Sequence, residues 1–338
     1  MRTILVTGGA GFIGSHLVDR LLEDGASVRV FDNLSTGSLQ NLQAAAQRHS
    51  RVSSSSGAVS NGSRLEVIIG DIRDREMLRT ALRDVKYVFH LAALPASSAS
   101  VRNPGEIHAV NVEGTLNVLQ GGLTEGVWRL VVGSSSSVYG TPSRVPISED
   151  TPVAPSTLFG ASKVAAETYA RAFYVRHQLD TVTLRYFNIY GPRQKATGEG
   201  SIIAKLLEAV RQGRPFVDQD DRTAEDFAYV DDAVAATLAA AQAPRAAGHV
   251  INVASGGMAT INDVRGILAD LLRRVPVATL PRDPAAGPRQ VCAQMDMAAE
   301  LLDFRPRVPL IAGLARTIQA FSETEYAELP ALARVTPE

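Results

Sequence analysis

The sequence predicts an α/β fold built on a parallel, doubly wound sheet, and three observations lead to this prediction. Short apolar runs alternate with helical patterns along the first part of the chain, which is typical of βαβ units. The runs are apolar at consecutive positions, as expected for strands buried on both faces. A glycine-rich turn separates the first run from the first helix. The runs are Ile4–Val6, Val28–Phe31, Leu65–Ile69, Tyr87–His90 and Leu130–Val132.

The glycine-rich turn predicts a dinucleotide site of the Rossmann type. Gly8, Gly11 and Gly14 recur at every third position between the first strand and the first helix. A helix N-terminus offers unpaired N–H groups, and glycine lets a diphosphate approach them closely. Asp32 ends the second run, where a carboxylate accepts from ribose hydroxyls and repels a 2′-phosphate. We therefore expect NAD rather than NADP; the alternative is a glycine-rich turn without a ligand.

Composition narrows the class of protein. The chain has 338 residues, is 45% hydrophobic and has a formal net charge of −1, so nucleic acid and anionic membranes are not expected partners. Its one cysteine, Cys292, allows no internal disulfide and suits a reducing cytoplasm. No apolar run approaches the roughly 18 residues of a membrane span, and no signal peptide is expected before the first strand. The scattered histidines suggest no metal site.

We expect two lobes, with the substrate between them. Residues 1–175 form the cofactor domain, to which some later strands return, residues 176–320 form mainly a smaller substrate lobe, and 321–338 form a tail. The Ser- and Gly-rich stretch 48–63 is predicted to be a surface loop, with a substrate lid as the alternative. Further elements are predicted at Leu184–Asn188 and Val250–Val253 (strands), and at Ile202–Arg211, Ile261–Arg273 and Met297–Leu302 (helices).

Several residues near predicted strand ends have two interpretations. Asp71 is placed to bind the adenine amino group, or it caps a helix. Leu91, Ala92 and Ala93 are small enough to leave space over a cofactor, whereas His90 is expected to be packed. Asn111 interrupts a helical pattern, so it contacts the cofactor or makes a structural hydrogen bond.

Three later stretches carry hydroxyls, a lysine and aromatic groups. Ser134–Tyr139 follow the fifth strand, Phe159 and Lys163 fall on one face of a helix, and Tyr186 and Asn188 lie in the predicted strand Leu184–Asn188. With these residues the chain resembles the extended short-chain dehydrogenases/reductases, in particular the UDP-sugar 4-epimerases, over residues 1–315. The shared segments are TGGAGFIGSH, GDIRD, HLAAL, NVEGTLNVL, SSSSVYG, ASK, LRYFNIYGPRQ and YVDDA, in the family's order.

The resemblance implies a mechanism and a set of site residues. A tyrosine removes the proton of the sugar 4-hydroxyl while NAD takes a hydride from C4, and the hydride returns to the other face of the 4-keto sugar. Lys163 is the lysine that assists the tyrosine, Ser135 shares the proton path, Ser137 lies near the sugar, and Asn188 binds the diphosphate. The predicted cofactor contacts are Gly8, Gly11, Phe12, Ile13, Gly14, Asp32, Asn33, Asp71, Ile72, Leu91, Ala92, Ala93, Asn111, Ser134, Lys163 and Tyr186.

The position of the family's catalytic tyrosine holds Phe159, which has the ring but no proton-transferring atom. A positioned acid or base contributes about 10²- to 10⁴-fold, so we expect a standard epimerase with this sequence to be nearly inactive. One interpretation is a Tyr-to-Phe variant that holds substrate in a slow enzyme. The other is a natural phenylalanine in a protein that uses another base or only binds NAD and a nucleotide sugar. Tyr139 and Tyr190 are not obvious replacements.

Other departures concern the substrate. The family's diphosphate-binding arginine is replaced by Glu225, so Arg222 is the predicted substitute, with Arg282 or Arg289 completing the clamp; surface charges are the alternative. Val291 aligns with the residue that faces the sugar C2 substituent and would leave room for an N-acetyl group.

Three functions stay open: a UDP-hexose 4-epimerase, a nucleotide-sugar dehydratase or decarboxylase, and a non-catalytic NAD- and nucleotide-sugar-binding protein. SSSSVYG supplies hydroxyls but no Glu, which favours epimerisation. The resemblance also implies a homodimer through helices near 100–120 and 160–175. Ala161, Ala165, Ala166 and Ala170 offer small surfaces for this interface or for the sheet.

Overall fold

The structure is a computed structural model that describes residues 3–49, 64–95, 103–196, 201–212, 223–272 and 290–325. Within these ranges, no helix is long and apolar enough to cross a bilayer. The same ranges contain no group of three or more His, Cys, Asp or Glu residues placed to hold a metal ion.

A seven-stranded sheet in the described part of the chain has the order β10-β6-β5-β4-β1-β2-β3, and all its pairs are parallel. The predicted doubly wound α/β fold is therefore confirmed. The chain proceeds to one side through β1, β2 and β3, and to the other through β4, β5 and β6. Ligands bind outside the carboxyl ends of strands where this direction reverses, which here is between β1 and β4. The strands are β1 Thr3–Thr7, β2 Ser27–Asp32, β3 Leu65–Ile69, β4 Val85–His90, β5 Arg129–Ser135, β6 Thr181–Tyr186 and β10 Val250–Val253.

Helices cover both faces of this sheet. Leu5 and Val6, successive residues of β1, are both fully buried and belong to different hydrophobic clusters, so each face of the central strand has its own core. This is why the strands are apolar at consecutive positions. The helices are α1 Phe12–Glu23, α2 Gln43–His49, α3 Arg75–Leu82, α4 Pro104–His108, α5 Gly114–Thr124, α6 Leu158–His177, α7 Ile202–Gln212, α8 Val230–Gln242, α9 Ile261–Leu272, α10 Asp296–Leu302 and α11 Leu310–Glu325.

Two short sheets lie beyond the main one. β7 Ile189–Tyr190 pairs in parallel with β9 Ala228–Tyr229, and β8 Ala224–Glu225 pairs antiparallel with β11 Ala259–Thr260. Because β6 and β10 stay in the main sheet, the chain crosses between the large sheet and these small ones. These crossings bring segments that follow β6 next to segments that precede α8.

The structure differs from the predicted elements in a few places. Residues 48 and 49, predicted to begin the Ser-rich loop, form the end of α2, and residues 50–63 lie outside the described ranges. β6 ends at Tyr186, so Asn188 lies beyond the strand. Helix α11 was not predicted from the sequence, and it continues past residue 321, the predicted start of the tail. A single π-helical segment, Ala109–Glu113, joins α4 to α5.

Candidate functional site

The glycine turn has the close backbone packing expected of a dinucleotide site, because side chains at Gly8 and Gly14 would collide with neighbouring backbone atoms. A Cβ on Gly14 would collide with the carbonyl oxygen of Gly8. Gly8 has φ +72, and a Cβ there would lie 2.6 Å from the backbone nitrogen of Ala92, after β4. Gly11 precedes α1 without a side-chain cap, so no side chain of the turn covers the first N–H groups of the helix. These groups can hold a diphosphate.

Asp32 connects the end of β2 to the glycine turn. Its Oδ2 accepts from the backbone N–H of Ala10 at 2.9 Å, and its Oδ1 accepts from that of Leu34 at 2.8 Å. The carboxylate is nearly buried, yet it lines the cavity. The two backbone donors therefore hold a negative charge in the position expected to receive ribose hydroxyls.

The oxygen atoms of Asp71 are used by neighbouring groups. Arg73 pairs with Asp71 at 2.7 Å, and the Asn33 amide donates to the same carboxylate at 2.9 Å. The hydrogen bonds from Arg73 hold the pKa of Asp71 well below its ordinary value. Asn33 and Ile72 line the cavity, whereas Asp71 does not. Its arrangement favours a structural role in the turn before α3.

The end of β4 supplies the predicted small wall, but Asn111 does not line the cavity. Its amide donates to Leu94 O at 3.0 Å and to Ser162 Oγ at 2.9 Å, and its oxygen accepts from Leu94 N at 2.7 Å. The π-helical segment thus aims Asn111 at two neighbouring elements, which favours the structural alternative. His90 bonds Thr7 and Thr115 and is packed, as expected. Leu91, Ala92 and Ala93 line the cavity.

Lys163 and Phe159 both line the cavity from one face of α6. The Lys163 Nζ donates to the carbonyl oxygen of Gly133 at 2.8 Å and lies 5.6 Å from the centroid of the Phe159 ring. Burial lowers the pKa of Lys163 to about 8, although the nearby Glu167 carboxylate acts in the opposite direction. The ammonium therefore sits beside an aromatic ring that offers it no hydrogen-bonding atom.

Ser135 and Ser137 form a pair at the carboxyl end of β5. The Ser135 oxygen accepts from the Ser137 N–H at 3.2 Å and from the Ser137 hydroxyl at 3.0 Å. Both residues line the cavity. Because the two acceptor positions of the Ser135 oxygen are used, its own O–H is oriented as a donor.

A buried ionic network, which the sequence analysis missed, supports this strand end. Glu167 accepts from the Ser134 hydroxyl and pairs with Arg185 at 2.8 Å. Arg185 donates to the hydroxyl of Tyr139 at 2.8 Å, and that hydroxyl donates to Asn252 at 2.7 Å. Ser134 therefore reaches the cavity with its hydroxyl committed to the network. The signal in the sequence was a Glu one helical turn after Lys163.

The tyrosines near the site are tied to other groups. Burial raises the pKa of Tyr139 to about 12. The Tyr186 hydroxyl lies 2.7 Å from Thr237 Oγ1, and burial raises its pKa as well. The Tyr190 hydroxyl donates to Leu310 O at 3.1 Å. Of the three, Tyr186 lines the cavity.

The predicted substrate residues are divided between the cavity, the core and segments outside the described residues. Asn188 lines the cavity and its amide donates to the Glu225 carboxylate, also in the lining, at 2.7 Å. Val291 does not line the cavity: it is 3% exposed and packs in an apolar cluster with Tyr139 and Phe187. Its predicted contact with the sugar C2 substituent stays a prediction. Arg222, Arg282 and Arg289 lie outside the described residues.

The segment Gly191–Lys195 crosses from β7 to the glycine-turn side of the cavity. His16 Nε2 lies 3.0 Å from Pro192 O, and Arg193 pairs with Asp19 at 2.6 Å. Lys195 Nζ donates to the backbone oxygen of Thr36 at 2.7 Å. Gln194 and Thr36 line the cavity, so this segment forms part of its wall.

Together these groups enclose a cavity of about 560 Å³ at the carboxyl end of the sheet. Lining residues that the sequence analysis did not single out are Phe31, Ser35, Thr36, Gly70, Pro95, Val110, Gly133, Ser136, Phe187, Ile189 and Gln194. Most of these residues are sequence neighbours of a predicted site residue at the end of a strand. The fold and cavity define a dinucleotide-binding α/β protein of the Rossmann type.

The chain belongs to the NAD dependent epimerase/dehydratase family, which matches residues 4–254. The predicted family is confirmed, and the predicted cofactor, NAD, is the cofactor of that family. A UDP-glucose 4-epimerase of Mycolicibacterium smegmatis is 35% identical, with 95% of this chain and 98% of the relative covered.

Solved structures agree with this assignment. A UDP-N-acetylglucosamine 4-epimerase from Methanobrevibacter ruminantium has a TM-score of 0.84 at 31% identity, covering 95% of this chain and 98% of that one. A tyrosine-to-phenylalanine mutant of a UDP-glucuronic acid 4-epimerase from Bacillus cereus was solved with NAD and a fluorinated UDP-sugar. It has a TM-score of 0.83 at 29% identity, covering 95% and 99%.

Proposed function

We propose that this protein is an NAD-dependent UDP-hexose 4-epimerase in which Phe159 makes turnover slow. One observation carries the proposal: Lys163, Ser135 and Phe159 converge on a cavity whose other end is the glycine turn and Asp32. We propose that NAD lies along the glycine turn and Asp32, with the sugar beside Phe159. The epimerases among its relatives support C4 inversion as the reaction.

In this proposal each residue has a defined task. NAD, when bound, accepts the hydride from the sugar and returns it. The first N–H groups of α1 and the Asp32 carboxylate bind the diphosphate and ribose of that cofactor. Lys163 binds the nicotinamide ribose. Ser135, oriented as a donor by Ser137, bonds the sugar oxygen as it becomes a ketone.

The substrate end combines Asn188 with Glu225. The amide of Asn188 faces the Glu225 carboxylate, so a diphosphate that takes this amide must displace a negatively charged partner. We propose Arg222 with Arg282 or Arg289 as the compensating cations. Conversion of different UDP-sugars reports the preferred hexose, whereas Val291 is packed away from the cavity.

The test is proton NMR of UDP-glucose, UDP-GlcNAc and UDP-glucuronate, each incubated with the protein and with Phe159→Tyr. A phenol supplies the missing acid/base group, so we expect the variant to form the C4 epimer about 10²- to 10⁴-fold faster. Phe159→Leu, which removes the ring without adding a hydroxyl, is the control. The proposal fails if the NAD-loaded tyrosine variant converts none of the three.

A second candidate is a protein that binds NAD and a nucleotide sugar without turnover, which Phe159 and Glu225 favour. It predicts binding of UDP-sugars and no chemistry even in Phe159→Tyr. A decarboxylase is a further alternative, because a UDP-N-acetyl-alpha-D-glucosaminuronate decarboxylase of Bacillus cytotoxicus is 31% identical. The same spectra report it, since decarboxylation removes the C6 carboxylate of UDP-glucuronate.

We also propose a homodimer through α6, with a cytoplasmic location. Tyr169 and Val175 of α6 are 40% and 65% exposed, which supports an apolar contact. Ala166 and Ala170 are buried within the protomer and so belong to its core, whereas Ala161 is exposed and Ala165 half-buried. Analytical ultracentrifugation tests this, and a monomer at micromolar concentration refutes it.

A further inference from the structure

Phe159 cannot move a proton, so the acid/base group of the proposed reaction must be another ionisable group of the cavity. Among the described lining residues these groups are Asp32, Lys163, Tyr186 and Glu225. Asp32 accepts two backbone N–H groups at the end of β2. The Tyr186 hydroxyl is bonded to Thr237, in the core. Lys163 is the group in contact with the Phe159 ring and with the strand end that carries Ser135.

Ser135 is poorly arranged to accept a proton. Its oxygen already accepts the N–H and the O–H of Ser137. A hydroxyl oxygen has two acceptor positions, so a proton leaving the substrate finds neither of them available. The Ser135 O–H is instead directed outward as a donor. It can stabilise oxygen that gains negative charge, but the proton must go elsewhere.

Lys163 has the properties of the missing acceptor. It is 8% exposed, and the side chain is held by one hydrogen bond from Nζ to Gly133 O at 2.8 Å. Burial disfavours its ammonium form. Once deprotonated, the amine keeps an N–H for Gly133 and presents a lone pair. The neighbouring Phe159 ring has no oxygen that could accept the proton instead of this amine.

Charged groups around Lys163 act in both directions. Glu167, one turn along α6, favours the ammonium, but its charge is balanced by the pair with Arg185. His90 on β4 stays neutral, because burial, with a smaller effect from the Lys163 charge, lowers its pKa to about 3. Among the described residues, Glu167 is therefore the charged group that opposes the effect of burial on Lys163.

On the basis of the proposed function, we infer that Lys163 is itself the acid/base residue of this chain. Its amine takes the proton of the sugar hydroxyl, directly or through one water, while Ser135 donates to the same oxygen. The O–H bond breaks and an N–H bond forms on Nζ. The C–H bond at that carbon breaks with its electron pair passing to NAD⁺, the oxidant of the proposed function. The reverse transfers restore the hydroxyl on the other face.

Lys163→Arg and Lys163→Met, each in the Phe159 and Phe159→Tyr backgrounds, test this inference. Arginine keeps the positive charge but cannot be deprotonated, whereas methionine removes both properties. In the Phe159 background we expect Lys163→Arg to reduce turnover at least about 100-fold. In the tyrosine background the phenol moves the proton, so Lys163→Arg should cost about tenfold or less. NAD content after gel filtration shows whether each variant still holds its cofactor.

Two further measurements separate a proton acceptor from a merely supporting residue. Turnover of the Phe159 protein should rise with pH and level off above about pH 8, and ¹³C NMR of lysine-labelled protein should show Lys163 titrating in the same range. The inference is overturned if Lys163→Arg turns over like its parent, or if Glu225→Gln rather than Lys163→Arg abolishes turnover. It is also overturned if the Phe159 protein is inert while Phe159→Tyr is active. No turnover in Phe159→Tyr that retains NAD overturns the proposed function as well.

Discussion

Removing the charge of Glu167 should destabilise the fold by several times the effect of an equivalent change at the surface. The Glu167–Arg185 pair is 2.8 Å long with both side chains 7% exposed. The Glu300–Arg245 pair is equally short, 2.7 Å, but its side chains are 68% and 66% exposed. Glu167→Gln and Glu300→Gln therefore make the same chemical change on ion pairs that differ in burial.

The magnitude follows from what each change leaves behind. Breaking a buried pair by removing one partner costs about 3–5 kcal/mol, because the remaining charge stays buried. Arg185 would keep its bonds to Tyr139 and to Glu149 O, so we expect the lower part of this range for Glu167→Gln. An exposed pair contributes about 0–1 kcal/mol.

Urea unfolding of both variants, followed by circular dichroism at constant NAD, measures the two free energies of unfolding. We expect a difference of at least about 2 kcal/mol between them, from the buried and exposed ranges above. Equal losses would show that the buried network contributes no more than a surface pair. The positions of Ser134 and Tyr139 could then not be attributed to this network.

Gly14→Ala should abolish NAD retention or folding, because its Cβ would collide with Gly8 O; Gly266→Ala, which has nothing within 4 Å, is the control and should be neutral or slightly stabilising. Cofactor content by absorbance after gel filtration reports both. Arg193→Ala should speed NAD release about tenfold or more, because it frees the segment Gly191–Lys195 from Asp19 and this half-buried pair is worth more than a surface pair. Arg20→Ala, next to Asp19 on α1, is the control and should leave the release rate unchanged. An unchanged rate in Arg193→Ala would show that Arg193 does not help to retain NAD. Burial lowers the pKa of His90 to about 3 from its ordinary 6.5, so the unfolded chain binds more protons between these values and stability should fall as pH drops from 6.5 towards 3. His90→Gln should flatten this part of the stability–pH curve, and an unaltered slope in urea titrations would contradict the assignment.

The sequence predicted the structure well wherever a periodic pattern determines which face or strand end a side chain occupies. Consecutive apolar residues predicted the strands of the parallel sheet, and the carboxyl ends of such strands meet at one edge. The four-residue spacing of Phe159 and Lys163 predicted one helix face, and both residues line the cavity. These inferences need only the geometry of a helix or strand and the order of the chain.

Predictions that required knowing which neighbour a side chain meets were less successful. Asn111 was placed at the cofactor by the resemblance, with a structural hydrogen bond as the alternative, and a π-helical segment directs its amide to Leu94 and Ser162. Val291 was aligned with the residue that faces the sugar C2 substituent, whereas in the structure its backbone N–H donates to Ala224 O and its side chain packs in an apolar cluster. Such partners lie far apart in sequence, so no local periodicity records them.

The Glu167–Arg185 pair, which was not predicted, fixes the strand end that carries the predicted site residue Ser135. Glu167 holds Ser134, the residue between Gly133 and Ser135, while Lys163 holds the carbonyl of Gly133. Two successive positions of β5 are thus fixed from successive turns of α6. The position of the Ser135 hydroxyl relative to the Lys163 amine is therefore set by the network behind them, and Phe159 leaves that geometry in place. Loss of the phenol removes one proton-transferring atom from the site without removing the framework that aligns the other two.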